Sequence, residues 1–182
     1  MKITPTKISD LFIIEPDVFG DDRGYFLESF KKEWFSEYLP NIEFIQDNES
    51  LSQRGVLRGL HFQMPPYEQT KLVRVIQGEV LDVAVDLRKK SPTYGHYEST
   101  ILSGENKRQF LIPKGFAHGF LVRSEFAIFA YKVDNAYAPS HDCGIIWNDP
   151  TLNIDWNFKQ DDILLSQKDK HLQQFSEFMS PF

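Results

Sequence analysis

The stretch Arg58-Gly59-Leu60-His61-Phe62-Gln63, followed by Tyr67-Glu68-Gln69-Thr70-Lys71-Leu72-Val73-Arg74-Val75-Ile76-Gln77-Gly78-Glu79-Val80, reads as two β-strands joined by a proline-containing loop. β-Branched and apolar residues are packed between polar ones along both runs. The polar positions include a cation, a histidine and a second cation: Arg58, His61 and Lys71. An imidazole beside permanent cations suits a reaction in which a base removes a proton while an anion develops next to it. The cations also favour the neutral, proton-accepting imidazole. A regular strand would point Arg58 and His61 to opposite faces, but Gly59 between them marks a bulge that lets both reach one pocket. A lone histidine in a sheet is more often a hydrogen-bonded core residue, so the chemical reading depends on what else converges there.

The chain keeps this character outward from the pair. Val80-Leu81-Asp82-Val83-Ala84-Val85-Asp86-Leu87 is a nearly continuous apolar run. Asp82 interrupts it, and a buried carboxylate needs a partner, for which His118 is the candidate. A plain structural hydrogen bond is as good a reading of Asp82 as a catalytic one. Ser91 to Leu102, Arg108 to Ile112, Ala117 to Val122 and Phe126 to Tyr137 supply four further strand signals, and Thr6 to Ile14 reads as an opening strand. Short helices are expected at Lys31 to Leu39, where Trp34, Phe35 and Tyr38 fall at helical spacing before Pro40, and at Lys170 to Phe178.

With 182 residues, 41% of them apolar, the chain is long enough for one well-buried core and short for two, so one domain over 1–182 is expected. Ten prolines and ten glycines are scattered between short apolar runs instead of being pooled in a linker. About ten short strands with that punctuation describe a mainly β, double-sheet jelly roll. The 26 acidic and 20 basic side chains leave a formal charge of -6, and no Lys/Arg block marks a nucleic-acid surface. The start Met1-Lys2-Ile3-Thr4-Pro5 lacks the apolar core of a signal peptide, and no run of about 18 apolar residues suggests a membrane span. Cys143 is the only cysteine, which precludes an intrachain disulfide. A soluble, cytoplasmic protein is expected.

Three further segments carry candidate binding residues. Asp21-Asp22-Arg23-Gly24-Tyr25-Phe26-Leu27-Glu28-Ser29-Phe30 begins as a turn and continues as a strand with Phe26, Glu28 and Phe30 on one face. A ring beside a carboxylate can stack on and hydrogen-bond a base, although the pair alone is more often an edge strand with one solvated position. Phe44-Ile45-Gln46-Asp47-Asn48 reads as a strand with Gln46 and Asn48 on one face. In Phe126 to Tyr137, Tyr131 and Tyr137 point the same way if the strand is unbroken.

Arg58-Gly59-Leu60-His61-Phe62-Gln63, Gln69-Thr70-Lys71-Leu72-Val73 and Ile112-Pro113-Lys114-Gly115-Phe116-Ala117-His118-Gly119-Phe120 resemble the core motifs of the dTDP-4-dehydrorhamnose 3,5-epimerases. With the flanking matches at Arg23 to Glu28 and at Ser166-Gln167-Lys168-Asp169, the resemblance covers most of the chain. It implies a cupin-like double-stranded β-helix, a substrate of dTDP-4-dehydro-6-deoxy-D-glucose and a product of dTDP-4-dehydro-β-L-rhamnose. It also implies roles. His61 is the base, oriented by Asp169, and Tyr131 is the proton donor on the opposite face of the ring. Lys71, with Arg58, holds the enolate oxygen. Arg23 takes the diphosphate, and Phe26 and Glu28 lie near the thymine, partly across a homodimer interface that shares the active sites. Gln46, Asn48 and Lys168 are expected on the nucleotide-sugar, His118 with Asp82 on the sugar or enolate, and Tyr137 packed against substrate. No redox change or group transfer occurs, so no cofactor is expected. Asn157 stands where many relatives have proline, a departure expected to affect only a turn.

Three rival readings are distinguishable. A relative that inverts only C3 or only C5 would share the same base and acid. A binding-only cupin would not need His61, Lys71, Tyr131 and Asp169 together. A metal-dependent cupin would have at best His61, Glu68 and His118 as ligands here, and Lys71 aimed at the same place would oppose a divalent ion.

Overall fold

The computed structural model describes residues 1–35 and 42–182, which form strands joined by loops and short 3₁₀ turns. One sheet has six strands, in the order β1 (Lys2–Pro5), β2 (Phe12–Glu15), β10 (Gln109–Ile112), β7 (Lys71–Gln77), β12 (Phe126–Val133) and β5 (Gln46–Gln53). The other large sheet has five: β13 (Asp142–Gly144), β6 (Leu57–Gln63), β11 (Phe116–Val122), β8 (Glu79–Asp86) and β9 (Tyr97–Ser103). Among the described residues, β3 (Val18–Asp21) and β4 (Gly24–Leu27) pair only with each other. This is the expected mainly β jelly roll.

Alternation along each strand decides which side chains face which layer. On β8, Val80 and Ala84 enter the layer between the two large sheets, where they meet Val73 and Val75 of β7, Phe116 and Phe120 of β11, and Phe129 of β12. Leu81, Val83 and Val85 point the other way, into a second layer closed by Trp147, Leu152, Trp156 and Phe178. The C-terminal segment therefore covers the outer face of the five-stranded sheet, which is why β8 reads as a nearly continuous apolar run. Asp82 shares the parity of Val80 and Ala84, so it is committed to the inter-sheet layer, fully buried. The same parity places Lys71 with Val73, His118 with Phe116 and Phe120, and Tyr131 with Phe129.

Several local expectations need correction. Thr6 to Ile14 is not one strand but the end of β1, a turn and the start of β2. The Thr6 amide donates to the Leu11 carbonyl at 2.9 Å, the Thr6 hydroxyl accepts from the Ile8 amide at 3.1 Å, and Asp10 adopts a φ of 69°. β4 ends at Leu27, so Glu28 and Phe30 do not share a strand face with Phe26. The chain instead turns inward to bury Phe30 against Phe35 and Phe44, with ring centroids 5.7 and 5.5 Å away. Of the helix expected over Lys31 to Leu39, a 3₁₀ turn at Lys32–Phe35 is seen, and 36–39 lie outside the described residues. No helix forms over Lys170 to Phe178. Only the 3₁₀ turns Asp169–His171 and Phe175–Glu177 occur there, because backbone groups that a helix would use bond elsewhere. The Gln173 carbonyl accepts from Ile146 at 2.9 Å, and the Phe175 amide donates to Asp149 Oδ2 at 2.7 Å. Asn157 has a φ of 46°, a left-handed turn conformation that proline cannot adopt.

Candidate active site

The register of β6 against β11 builds the site. His61 pairs with His118 but Arg58 pairs with Phe120, so β6 carries one more residue than β11 across the interval. That is the expected bulge, and it turns Arg58 and His61 to the inner face while Leu57, Leu60 and Phe62 stay in the outer layer. Gly59 has a φ of 133°, and a Cβ there would stand 2.5 Å from Gly119 Cα and 2.9 Å from the His118 carbonyl oxygen. Any side chain at 59 would force β6 away from β11 and separate the two histidines.

A cleft of about 670 Å³ opens between the sheets at this point, within the size range of small-ligand sites. Arg58 and His61 of β6, Lys71 of β7, His118 of β11, Tyr131 of β12 and Asp169 of the C-terminal segment all line it. Asn48 and Ser50 of β5 line it too, and Val56, Phe120, Phe129 and Leu164 give it an apolar wall. Asp169 Oδ1 lies 2.5 Å from His61 Nε2, and Asp169 Oδ2 accepts from the Ser166 hydroxyl at 2.8 Å. Burial alone would raise the Asp169 carboxyl, but the hydrogen bonds from His61 and Ser166 outweigh it and hold the group below the ordinary carboxylate range. An ionised carboxylate only accepts, so in the neutral imidazole Nε2 carries the proton and Nδ1 keeps the lone pair.

Behind the dyad, His118 Nε2 lies 2.9 and 3.0 Å from the two oxygens of Asp82. The partner expected for the buried carboxylate is therefore the observed one. Burial raises Asp82 and lowers His118, so both are driven toward their neutral forms, against the pull each exerts on the other. Lys71 retains some exposed surface, yet its ammonium lies where desolvation lowers it to about 8, opposed by Asp142 and Asp82. Burial also raises the Tyr131 phenol, partly offset by Arg58, so Tyr131 holds its proton at neutral pH and can donate it.

Other expected residues sit around this core or away from it. The Gln46 amide donates to Asn48 Oδ1 at 2.8 Å, which fixes the two on one face of β5 as expected. Arg58 Nε donates to Ser52 Oγ at 3.1 Å. Tyr137 does not follow Tyr131 into the cleft, because β12 stops at Val133. Tyr137 is 56% exposed, and its hydroxyl donates to Asp142 at 2.9 Å. Lys168 bonds the same carboxylate oxygen at 2.5 Å. Arg23, Phe26 and Glu28 are not brought to the cleft of their own chain. Arg23 is 90% exposed and paired with Asp21, and Phe26 is 65% exposed. Two residues escaped the sequence reading. Ser166 carries no signal of its own beyond its place in the Ser166-Gln167-Lys168-Asp169 motif, although its spacing to Asp169 allows the reciprocal bond in which the Asp169 amide donates to Ser166 Oγ at 3.1 Å. Asp142 gave no local signal at all. Among the described residues no group of three or more His, Cys, Asp or Glu side chains is placed to hold a metal ion, and no helix is long and apolar enough to cross a membrane.

A cleft in a cupin-like fold that brings a His–Asp dyad, a protonated phenol and a lysine onto one substrate-sized space has the groups needed to remove and return a proton beside a developing anion, the equipment of an acid–base enzyme. A family profile described as dTDP-4-dehydrorhamnose 3,5-epimerase matches residues 5–177. The chain is 53% identical over 178 residues to the dTDP-4-dehydrorhamnose 3,5-epimerase of Pseudomonas aeruginosa, covering 97% of each, and 50% identical over 180 residues to that of Escherichia coli, covering 98% and 97%. A solved structure from Legionella pneumophila, a dTDP-6-deoxy-D-glucose-3,5-epimerase in complex with dTDP-4-keto-L-rhamnose, superposes with a TM-score of 0.94 at 50% identity, covering 98% of this chain and 94% of that one. The dTDP-4-dehydrorhamnose 3,5-epimerase of Elizabethkingia anophelis gives 0.93 at 47%, covering 97% of both. The chain belongs to the dTDP-4-dehydrorhamnose 3,5-epimerase family.

Proposed function

We propose that the chain, as one domain over 1–182, inverts C3 and C5 of dTDP-4-dehydro-6-deoxy-D-glucose to give dTDP-4-dehydro-β-L-rhamnose, with His61 as base and Tyr131 as acid. The observation that carries this assignment is the joint lining of one cleft by the His61–Asp169 dyad, Lys71 and Tyr131. The C4 ketone makes the protons on C3 and C5 removable, because each carbanion delocalises onto the carbonyl oxygen as an enolate. His61 takes the proton, and Asp169 stabilises the imidazolium that results. Lys71, with Arg58, holds the enolate oxygen by a charge-assisted hydrogen bond. Tyr131 returns a proton to the opposite face. A proton leaves and a proton arrives with no change of oxidation state, so the reaction needs no cofactor. His118, held by Asp82, and Asn48, held by Gln46, bind the nucleotide-sugar, as do Lys168 and Tyr137 at the rim. Turnover in heavy water, followed by NMR, tests the whole scheme. Solvent deuterium should enter both carbons and the product should have the L-rhamno configuration. Inversion at one carbon only would reassign the chain as a mono-epimerase.

Lys71 gives this scheme a pH signature. With its ammonium at about 8 in the free protein, the cation is present below that pH and lost above it. The kcat/KM profile should therefore fall on an alkaline limb near 8, and Lys71→Met should lose both most of the activity and that limb. An unchanged limb in the variant would assign it to another group.

Arg23, Phe26 and Glu28 serve the neighbouring site in a homodimer. What supports this is the β3–β4 hairpin, which among the described residues pairs only with itself and leaves Phe19 and Phe26 more than half exposed. Uncovered apolar strands of this kind are normally covered by a partner. Sedimentation should give a dimer at assay concentration, and an active monomer would end the idea. A cytoplasmic setting suits a chain whose single cysteine forms no disulfide.

A further inference from the structure

Next to Asp169, and outside the residues that line the cleft, lies a charged cluster that the proton-transfer scheme leaves unexplained. Asp142 opens β13, whose register against β6 sets Asp142 opposite Gln63 and Gly144 opposite His61. Its Oδ2 accepts two hydrogen bonds, from Lys168 Nζ at 2.5 Å and from Tyr137 Oη at 2.9 Å. The donors come from separate segments. Tyr137 lies in the loop that leaves β12, and Lys168 immediately precedes Asp169, the carboxylate on His61. The Asp142 side chain is 16% exposed, and so enclosed a carboxylate is costly unless its partners are in place. Asp142 is thus the point where the β6 edge, the loop after β12 and the C-terminal segment are joined.

We propose that Asp142 is a positioning residue of the active site. It fastens the segment bearing Lys168 and Asp169 to the edge of β6, and it supplies a fixed negative charge to Lys71. The importance of this for turnover rests on the reading of Lys71 as the partner of the enolate. The charged groups acting on Lys71 come from three elements: Asp142 on β13, Asp82 on β8, and Lys168 in the C-terminal segment. His61, His118, Arg58 and Tyr131 line the same space. Asp142 is the larger of the two negative influences and Lys168 opposes it, so loss of either partner breaks one tether but changes the charge on Lys71 in opposite senses.

That opposition supplies the test. The titration of Lys71 is read in the full-length protein from the pH dependence of its acylation rate, by competitive labelling and mass spectrometry. Wild type should give a midpoint at about 8. Asp142→Asn, nearly isosteric but uncharged, should lower the midpoint by roughly one pH unit. Lys168→Met should raise it, and Tyr137→Phe should leave it in place. General loosening of the site would move the first two variants the same way, and a midpoint for Asp142→Asn at or above that of wild type overturns the proposal. Should Asp142→Asn fail to fold, Asp142→Glu, which keeps the charge, is compared with Lys168→Met: the first should hold the midpoint near that of wild type and the second should raise it, and a rise of the same size in both overturns the proposal. The kcat/KM profile is measured in parallel. A wild-type profile that ignores the labelling midpoint would refute the role of Lys71 in the reaction, whereas the action of Asp142 on Lys71 is judged by labelling alone.

Discussion

His61→Ala is expected to abolish deuterium exchange at both C3 and C5 while dTDP binding stays close to wild type. Loss of a general base costs about 10²–10⁴-fold, and more where no substitute stands nearby. The other histidine of the cleft is a poor substitute. His118 is engaged on both sides of the Asp82 carboxylate and held in the inter-sheet layer, so its position is set by a buried partner and not by the substrate. The substitution also strands Asp169. Without the His61 bond the carboxylate keeps only the hydrogen bond from the Ser166 hydroxyl, and burial then raises it toward protonation. The lost function is therefore local, since Gly59, Gly119 and the β6–β11 register do not depend on the imidazole. Calorimetry with dTDP and exchange followed by NMR measure the two halves of the expectation. Normal exchange at one carbon in the variant would require a second base.

How much of this was legible in the sequence depends on how far apart the interacting groups lie. The Gly59 bulge was readable because it is local: a glycine between two polar residues of opposite parity, with a pocket to serve. The Asp82–His118 pair was readable because a carboxylate in an apolar strand demands a partner, and few candidates exist among five histidines. The His61–Asp169 pair spans 108 residues, and no local pattern connects them. Only the family resemblance supplied it. The misreadings share one cause, which is that a periodic pattern does not say where hydrogen bonding stops. Tyr131 and Tyr137 have the same parity, but parity lapses once β12 ends at Val133. The segment over Lys170 to Phe178 was read as a helix although its backbone groups are claimed by Ile146 and Asp149. Asp142 was invisible for a related reason, since its partner Lys168 lies 26 residues on and meets it only when the C-terminal segment folds back to it, while Tyr137 reaches it across an irregular loop with no periodic pattern.

Tyr131→Phe should separate proton removal from inversion. If His61 takes the proton from one face and Tyr131 delivers one to the other, the variant keeps the base, the ring and the packing while losing the donor. The packing argument is direct. The Tyr131 ring sits 6.2 Å from that of Phe129 against the inter-sheet core, and phenylalanine fills nearly the same volume. The enolate still forms, because Lys71 and Arg58 remain to hold its oxygen. It is then reprotonated mainly by the histidine that made it. Substrate should pick up solvent deuterium with retained configuration, while formation of the doubly inverted product falls by about 10²–10⁴-fold. Burial raises the Tyr131 phenol and so keeps it protonated at neutral pH, which means the wild-type acid is available throughout the range where Lys71 is charged. The alkaline limb of the residual exchange should therefore stay near that of wild type, since it belongs to Lys71 and not to the phenol removed. A Tyr131→Phe protein that makes L-rhamno product at wild-type speed would move the acid role elsewhere. Tyr137 would be the first place to look, and its hydroxyl would then have to leave Asp142 to reach the sugar.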